Sequence, residues 1–163
     1  MNMRIGQGFD VHAFAEGRKL ILGGLEVEYH LGLAGHSDAD VLIHALCDAL
    51  LGAMGLGDIG HHFPDDDAQY EGIDSRKLLN QVMQRADALG WRVVNVDATV
   101  IAQKPKLASY IPKMRASLAA LLAVDVSACN VKATTTEQLG FTGRGEGIAA
   151  QAVVLLQRQK DLD

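Results

Sequence analysis

Apolar residues at Leu42, Ala45, Leu46, Ala49, Leu50 and Ala53 recur at the spacing of an α-helix, and a stripe of that kind demands a partner surface to bury it. Both ends of this helix are marked. Ser37 is placed to cap the N-terminus, with Asp40 three residues on in a capping-box-like arrangement, and Gly55 and Gly57 stop it. Other segments carry the two-residue period of strands. Met3 to His12 reads as a strand, and Trp91 to Ala102 places Val94, Val96, Ala98 and Val100 on one face. Asn130 to Thr134 is a short strand and Ile148 to Gln157 a longer one. Lys19–Leu22 and Leu25–Tyr29 flank Gly23-Gly24, a two-residue hairpin signal. Two more helices are predicted, from Asp74 or Ser75 to Gly90 and from Ser109 to Leu122. Gly57 to Gly72 is a loop rich in Gly, Asp and Pro, of a length that is usually functional or disordered.

Strands and helices therefore alternate, and no Rossmann glycine motif accompanies them. The pattern predicts an α+β fold, an α/β sandwich in which a mixed β-sheet carries its helices on one face. The 163 residues suit one domain, taken as 1–158, with 159–163 as a frayed tail. A formal net charge of −5 argues against a nucleic-acid surface. Two cysteines, Cys47 and Cys129, form no Cys-x-x-Cys pattern and read as small core residues in a reducing compartment. Met1 to Gly8 carries no cationic-then-apolar signal and no 18-residue apolar run occurs, so a cytoplasmic protein is expected.

Three features bear on chemistry. In Asp10-Val11-His12, residues i and i+2 of a strand point to one side, so both side chains can reach one point. His44 stands in the apolar helix with Asp40 and Asp48 one turn either side; alone, it reads as a histidine bonded to its own helix neighbours. Together, Asp10, His12 and His44 make three N/O ligands, which suits zinc with an open fourth position, and Asp40 or Asp48 could orient His44 from behind. His61-His62 with Asp65-Asp66-Asp67 is a rival metal site, although adjacent residues rarely converge on one ion. The third feature is Thr134 to Gly147, whose threonines, glycine-flanked amides and Arg144 are the parts of a phosphate pocket or of a glycine-rich turn.

Six segments resemble the 2-C-methyl-D-erythritol 2,4-cyclodiphosphate synthase family: Arg4 to His12, Gly35 to Asp40, Gly57 to Gly60, Phe63 to Asp65, Ala102 to Lys106, and Val131 to Gly147. The resemblance implies a homotrimer with active sites between subunits, and a cavity on the trimer axis that could take an isoprenoid diphosphate. It implies zinc on Asp10, His12 and His44, with Glu137 near a second ion, magnesium or manganese. His36 and Thr135 match residues that stabilise the transition state. His36, Ser37, Asp58, Ile59, Gly60, Phe63, Pro64, Asp65, Asp66 and Asp67 match the methylerythritol phosphate side, and Asp10, Val11 and His12 also match substrate contacts. Ala102, Gln103, Lys104, Pro105, Lys106, Leu107 and Ala108 match the nucleotide and diphosphate side, together with Thr134, Thr135, Thr136 and Glu137. Phe141 and Arg144 match further ligand contacts. The implied reaction is that of a phosphorus–oxygen lyase of non-mevalonate isoprenoid biosynthesis: 4-diphosphocytidyl-2-C-methyl-D-erythritol 2-phosphate gives the cyclic diphosphate and CMP. Two other classes stay open on the residues, a zinc-dependent phosphohydrolase and a non-catalytic binding module for nucleotides or isoprenoid diphosphates.

Overall fold

Two glycines decide how the sheet and its main helix meet. In the computed structural model, which describes residues 2–159, β1 (Met3–Ala15) lies against α1 (Val41–Met54) through Gly6 and Gly8. A Cβ on Gly8 would stand 1.8 Å from the Ala45 carbonyl oxygen, and one on Gly6 1.9 Å from that of Ala49. Helix and strand backbones therefore touch directly. Asp10 and His12 share the side of β1 that carries these glycines, so they emerge at the same interface.

The hairpin β2 (Leu20–Leu22) and β3 (Leu25–Val27) forms as its glycines predict, with positive φ at Gly23 and Gly24. A short β4 (Gly32–Leu33) follows, pairing with the end of β1; two residues are too few to leave a periodic signal. After α1 come a four-residue α2 (Ile59–His62), a 3₁₀ turn at Ala68–Tyr70, and α3 (Ser75–Ala88). The chain continues through β5 (Trp91–Ile101), α4 (Ile111–Leu121), β6 (Cys129–Thr134), a four-residue α5 (Gly140–Gly143) and β7 (Gly147–Arg158). The large sheet has the order β4-β1-β7-β5-β6, with β5 and β6 parallel and the other pairs antiparallel. This is the mixed sheet of an α+β fold. Residues facing the helices, such as Ala150, Ala152, Val154 and Leu156, are buried. The opposite face leaves Ile5, Phe9, Val11 and Val153 exposed.

Several boundaries differ from the sequence reading. Helix α1 is capped by Asp40, whose Oδ1 accepts from the Ile43 amide at 3.1 Å, and not by Ser37. Ala39 takes a positive φ of 57°, which turns the chain so that Asp40 reaches both the helix and the hairpin. The Asp40 carboxylate also accepts from the amides of Gly23 (2.9 Å) and Gly24 (2.7 Å). Burial pushes its pKa up to about 6 against these amides, which favour the charged form. Val94 falls out of the expected alternation because β5 bulges between Val93 and Asn95, leaving Val94 exposed. The segment 57–72 is not structureless, since α2 and the 3₁₀ turn punctuate it. At the C-terminus, Arg158 still pairs with Trp91 and the Gln159 amide donates to the Gly90 carbonyl. Residues 160–163 of the expected tail lie outside the described residues. Cys47 and Cys129 are buried, free thiols.

Because nothing in the backbone can yield at the α1–β1 contact, Gly8→Ala should destabilise the fold by at least about 3 kcal/mol, the upper part of the overpacking range. Urea unfolding of the variant would read this as a lowered midpoint. An unchanged midpoint would show that α1 can lift from β1 at no cost.

Candidate metal centre and flanking grooves

Asp10 and His12 at the far end of β1 meet His44 on α1. Their facing atoms are close: 2.8 Å between His12 Nε2 and Asp10 Oδ2, 3.1 Å between His12 Nε2 and His44 Nδ1, and 3.2 Å between His44 Nδ1 and Asp10 Oδ2. The outward nitrogens of both rings are already engaged. His12 Nδ1 donates to the Ala34 carbonyl at 2.6 Å, and His44 Nε2 faces the hydroxyls of Ser75 (2.9 Å) and Ser37 (3.1 Å). Gly35 makes room for the His12 ring, which a Cβ there would approach to 3.2 Å. With those tautomers, three acceptor atoms converge on one point and need a cation between them. The electrostatics agree. Burial opposes ionisation of Asp10, but hydrogen bonds and charge from His12 and His44 outweigh it and hold the carboxyl far below its usual range. Burial also opposes charge on His12, yet the bond to Asp10 raises its pKa. Among the described residues, Asp10, His12 and His44 are the group of His, Cys, Asp or Glu side chains that can hold a metal ion. The donor set and its open side fit a divalent cation.

The rival site does not assemble. His62 is turned away, with Nε2 against the Leu56 carbonyl at 2.7 Å and Nδ1 2.6 Å from Arg85. Nor do Asp40 or Asp48 orient His44. Asp40 is spent on the helix cap and hairpin, and Asp48 accepts from the Ile59 amide at 2.7 Å, anchoring α2. Burial raises the pKa of Asp48 despite that amide.

The triad opens into a cavity of about 200 Å³ that also touches His36, Ser37, Ile59, Gly60, Phe63 and Asp65. Tyr70 joins them, edge-on to Phe63 with ring centroids 5.4 Å apart. Asp58 precedes Ile59 and caps α2 through the His61 amide, while Asp67 caps the 3₁₀ turn. His36 Nε2 donates to the Asp67 carbonyl at 2.9 Å and so ties the turn 35–40 to this loop. Arg18 braces the same turn, donating to the carbonyls of Gly35 (2.6 Å) and Ser37 (2.5 Å). Pro64 and Asp66 are exposed on the loop.

A second groove, of about 570 Å³, runs along Ala102 to Ala108 and Ala133 to Thr135, with Tyr29 across from them. It includes Gln103, Lys104, Pro105, Lys106 and Leu107, and the Lys104–Pro105 bond is cis. Gln103 Oε1 accepts from the Gln138 amide at 3.1 Å, joining the segment to the turn after β6. In that turn Glu137 and Gln138 both have positive φ, and the Glu137 amide donates to Thr135 Oγ1 at 3.2 Å. Thr136 Oγ1 bonds to Thr142 Oγ1 at 2.9 Å. Glu137 and Phe141 are exposed, and Arg144 pairs with Glu146 at 2.6 Å. The two cavities share no lining residue. Tyr29, Tyr70, Ser75 and Arg18 were not singled out by sequence reasoning, because each joins its site from a segment with no motif of its own.

Fold and site together define an α+β protein built on a five-stranded mixed sheet, with a three-ligand centre that can hold a divalent cation. Residues 3–157 match the YgbB family, and the chain belongs to that family. It is 65% identical over 157 residues to the 2-C-methyl-D-erythritol 2,4-cyclodiphosphate synthase of Geobacter metallireducens, covering 96% of this chain and 100% of that one. It is also similar to the bifunctional IspDF of Campylobacter jejuni, with 45% identity and a TM-score of 0.93 over 97% of this chain and 43% of that longer one. A Plasmodium falciparum IspF, solved as its CDP complex, matches at 32% identity and a TM-score of 0.85, covering 98% of this chain and 99% of that one.

His44→Ala should lower divalent-metal affinity at least 100-fold while the fold survives, whereas the double change His61→Ala and His62→Ala should retain it. Equilibrium dialysis with elemental analysis reads both variants. The opposite ranking would move the centre to the 61–67 loop.

Proposed function

We propose that this chain is a 2-C-methyl-D-erythritol 2,4-cyclodiphosphate synthase, releasing CMP from 4-diphosphocytidyl-2-C-methyl-D-erythritol 2-phosphate. Its support is the full-length likeness to proteins of that name, in a chain whose Asp10, His12 and His44 converge at a cavity. That likeness favours a synthase over a phosphohydrolase or a binding module.

Zinc is the ion that suits the triad. Two imidazole nitrogens and one carboxylate oxygen are a zinc donor set, and three such ligands leave its fourth position open. When bound, the ion supplies Lewis-acid withdrawal of charge from a phosphoryl oxygen. A 2-phosphate oxygen bonds to the β-phosphorus, and the bond from that phosphorus to the bridging oxygen breaks, releasing CMP. The attacking phosphate monoester is mostly dianionic near neutral pH, so no side chain need remove a proton. What the residues supply is position and charge. Asp58, Ile59, Gly60 and the segment Phe63 to Asp67 hold the methylerythritol phosphate, together with His36 and Ser37. Ala102 to Ala108 and Thr134 to Thr136 hold the nucleotide and diphosphate, Lys104 and Lys106 adding positive charge. His36 and Thr135 stabilise the transition state, and Glu137 would hold a magnesium or manganese ion. Fixing both ends of one molecule turns a flexible encounter into a positioned attack.

The chain acts as a homotrimer, in the cytoplasm. The exposed Ile5, Phe9, Val11 and Val153 give its sheet an apolar face for neighbours, and a cavity on the three-fold axis would take an isoprenoid diphosphate. Separate cavities for the two halves of the site fit active sites completed between subunits. Among the described residues no helix is long and apolar enough to cross a membrane.

Incubation of purified protein with the cytidyl substrate should give cyclic diphosphate and equimolar CMP by phosphorus NMR. Inorganic phosphate or an open-chain product would instead identify a hydrolase. Subunit sharing has its own test. His44→Ala and Thr135→Ala, each first shown inactive, should regain about a quarter of wild-type activity when refolded together, since random mixing leaves one intact junction in each mixed ring. Background activity, with mixing verified by native mass spectrometry, would place each site within one chain.

A further inference from the structure

His44 is held from behind by a route that runs through another helix. Its Nε2 lies 2.9 Å from Ser75 Oγ at the first turn of α3, and the Ser75 hydroxyl in turn reaches Asp38 Oδ1 at a short distance. Asp38 can only accept here: Oδ1 also takes the Asp40 amide at 3.1 Å, and Oδ2 takes the Ser75 amide at 3.1 Å. The Ser75 proton must therefore point at Asp38, which leaves the serine oxygen with lone pairs for His44. Only a protonated Nε2 satisfies that arrangement, so Nδ1 is left with its lone pair toward Asp10 and His12. Ser37 cannot decide the tautomer, because its hydroxyl is free to donate to or accept from His44, and among the described residues its other partner is the Ala39 amide. Ser75 is fully buried, so no solvent competes for its proton.

We propose that Asp38 and Ser75 are positioning residues of the metal centre: the chain from Asp38 carboxylate through Ser75 hydroxyl to His44 Nε2 fixes the imidazole in its metal-binding tautomer. This rests on reading the triad as a metal site. Outer partners of this kind usually change metal affinity 10–100-fold when removed. Ser75→Ala should lower zinc affinity by that factor. Asp38→Ala should do the same by a different route, since Ser75 then loses the acceptor of its proton and can turn it toward His44 Nε2. Because Asp38 acts through Ser75, the double variant should bind zinc no more weakly than Ser75→Ala alone.

Two readouts on the full chain test this. Competition with a zinc chelator gives the affinities, with circular dichroism as the check on folding. Nitrogen–proton correlation NMR of the metal-free protein reports the tautomer directly: His44 should carry its proton on Nε2 in the wild type and shift toward Nδ1 in Asp38→Ala. Wild-type zinc binding with all three variants within twofold of it would overturn the proposal, as would a proton on Nδ1 in the wild type. Failure of the wild type to bind zinc would sink the metal reading instead, and the tautomer would still test the relay.

Discussion

The contact of α1 with β1 through Gly6 and Gly8 sets the distance on which the site depends. The Ala45 and Ala49 carbonyls of the helix lie where those side chains would begin. His44 immediately precedes Ala45, and Asp10 follows Gly8 on the same side of the strand. Only at this separation does His44 Nδ1 come within 3.2 Å of Asp10 Oδ2. A larger residue in the strand would lift the helix and open the triad before it disturbed any ligand. The apolar stripe on α1 holds the helix down, and the glycines let it come close enough; packing and chemistry are one constraint here.

The turn from Gly35 to Asp40 then distributes several jobs over six residues. Gly35 clears the His12 ring, His36 ties down the loop at Asp67, and Ser37 and Asp38 stand behind His44. Asp40 fastens the helix start to the hairpin glycines. The positive φ of Ala39 lets Asp38 and Asp40 point to different neighbours, and Arg18 braces the turn from outside. Local backbone strain of this kind, of order 1–3 kcal/mol, persists only where many contacts fix it. Asp40 alone supplies three such contacts in a place with no solvent.

What could be read in the sequence follows from how far each signal reaches. Strand and helix periods repeat over many residues, so β1, α1, α3 and β7 stood out, as did the Gly23-Gly24 turn and the Gly55 stop. Asp10 and His12 share a face by strand geometry alone, while His44 joins them only because a helix 32 residues on crosses that strand. The residue types suggest that grouping, and the resemblance to a known family decides for it. The cap was misplaced because Ser37 and Asp40 are both good capping residues, and only the turn at Ala39 decides between them. Val94 misled because a bulge leaves no mark in an apolar run. Ser75 and Arg18 were illegible: each is an ordinary residue that becomes important only when a distant segment packs against it.

Charge gives the last step. Among the described residues, the cavity beside the triad is lined by Asp10 and Asp65 and by no lysine or arginine, whereas the second groove carries Lys104 and Lys106. In a chain of net charge −5, a phosphorylated ligand entering the first cavity would meet negative charge unless a cation already stood there. Three convergent acceptors with their outer nitrogens tied away hold a cation in place without moving when it arrives. The second groove needs less help, since Lys104 and Lys106 already line it. The cation therefore belongs where the protein lacks basic side chains, and the order of Asp10, His12 and His44 around one point serves that purpose.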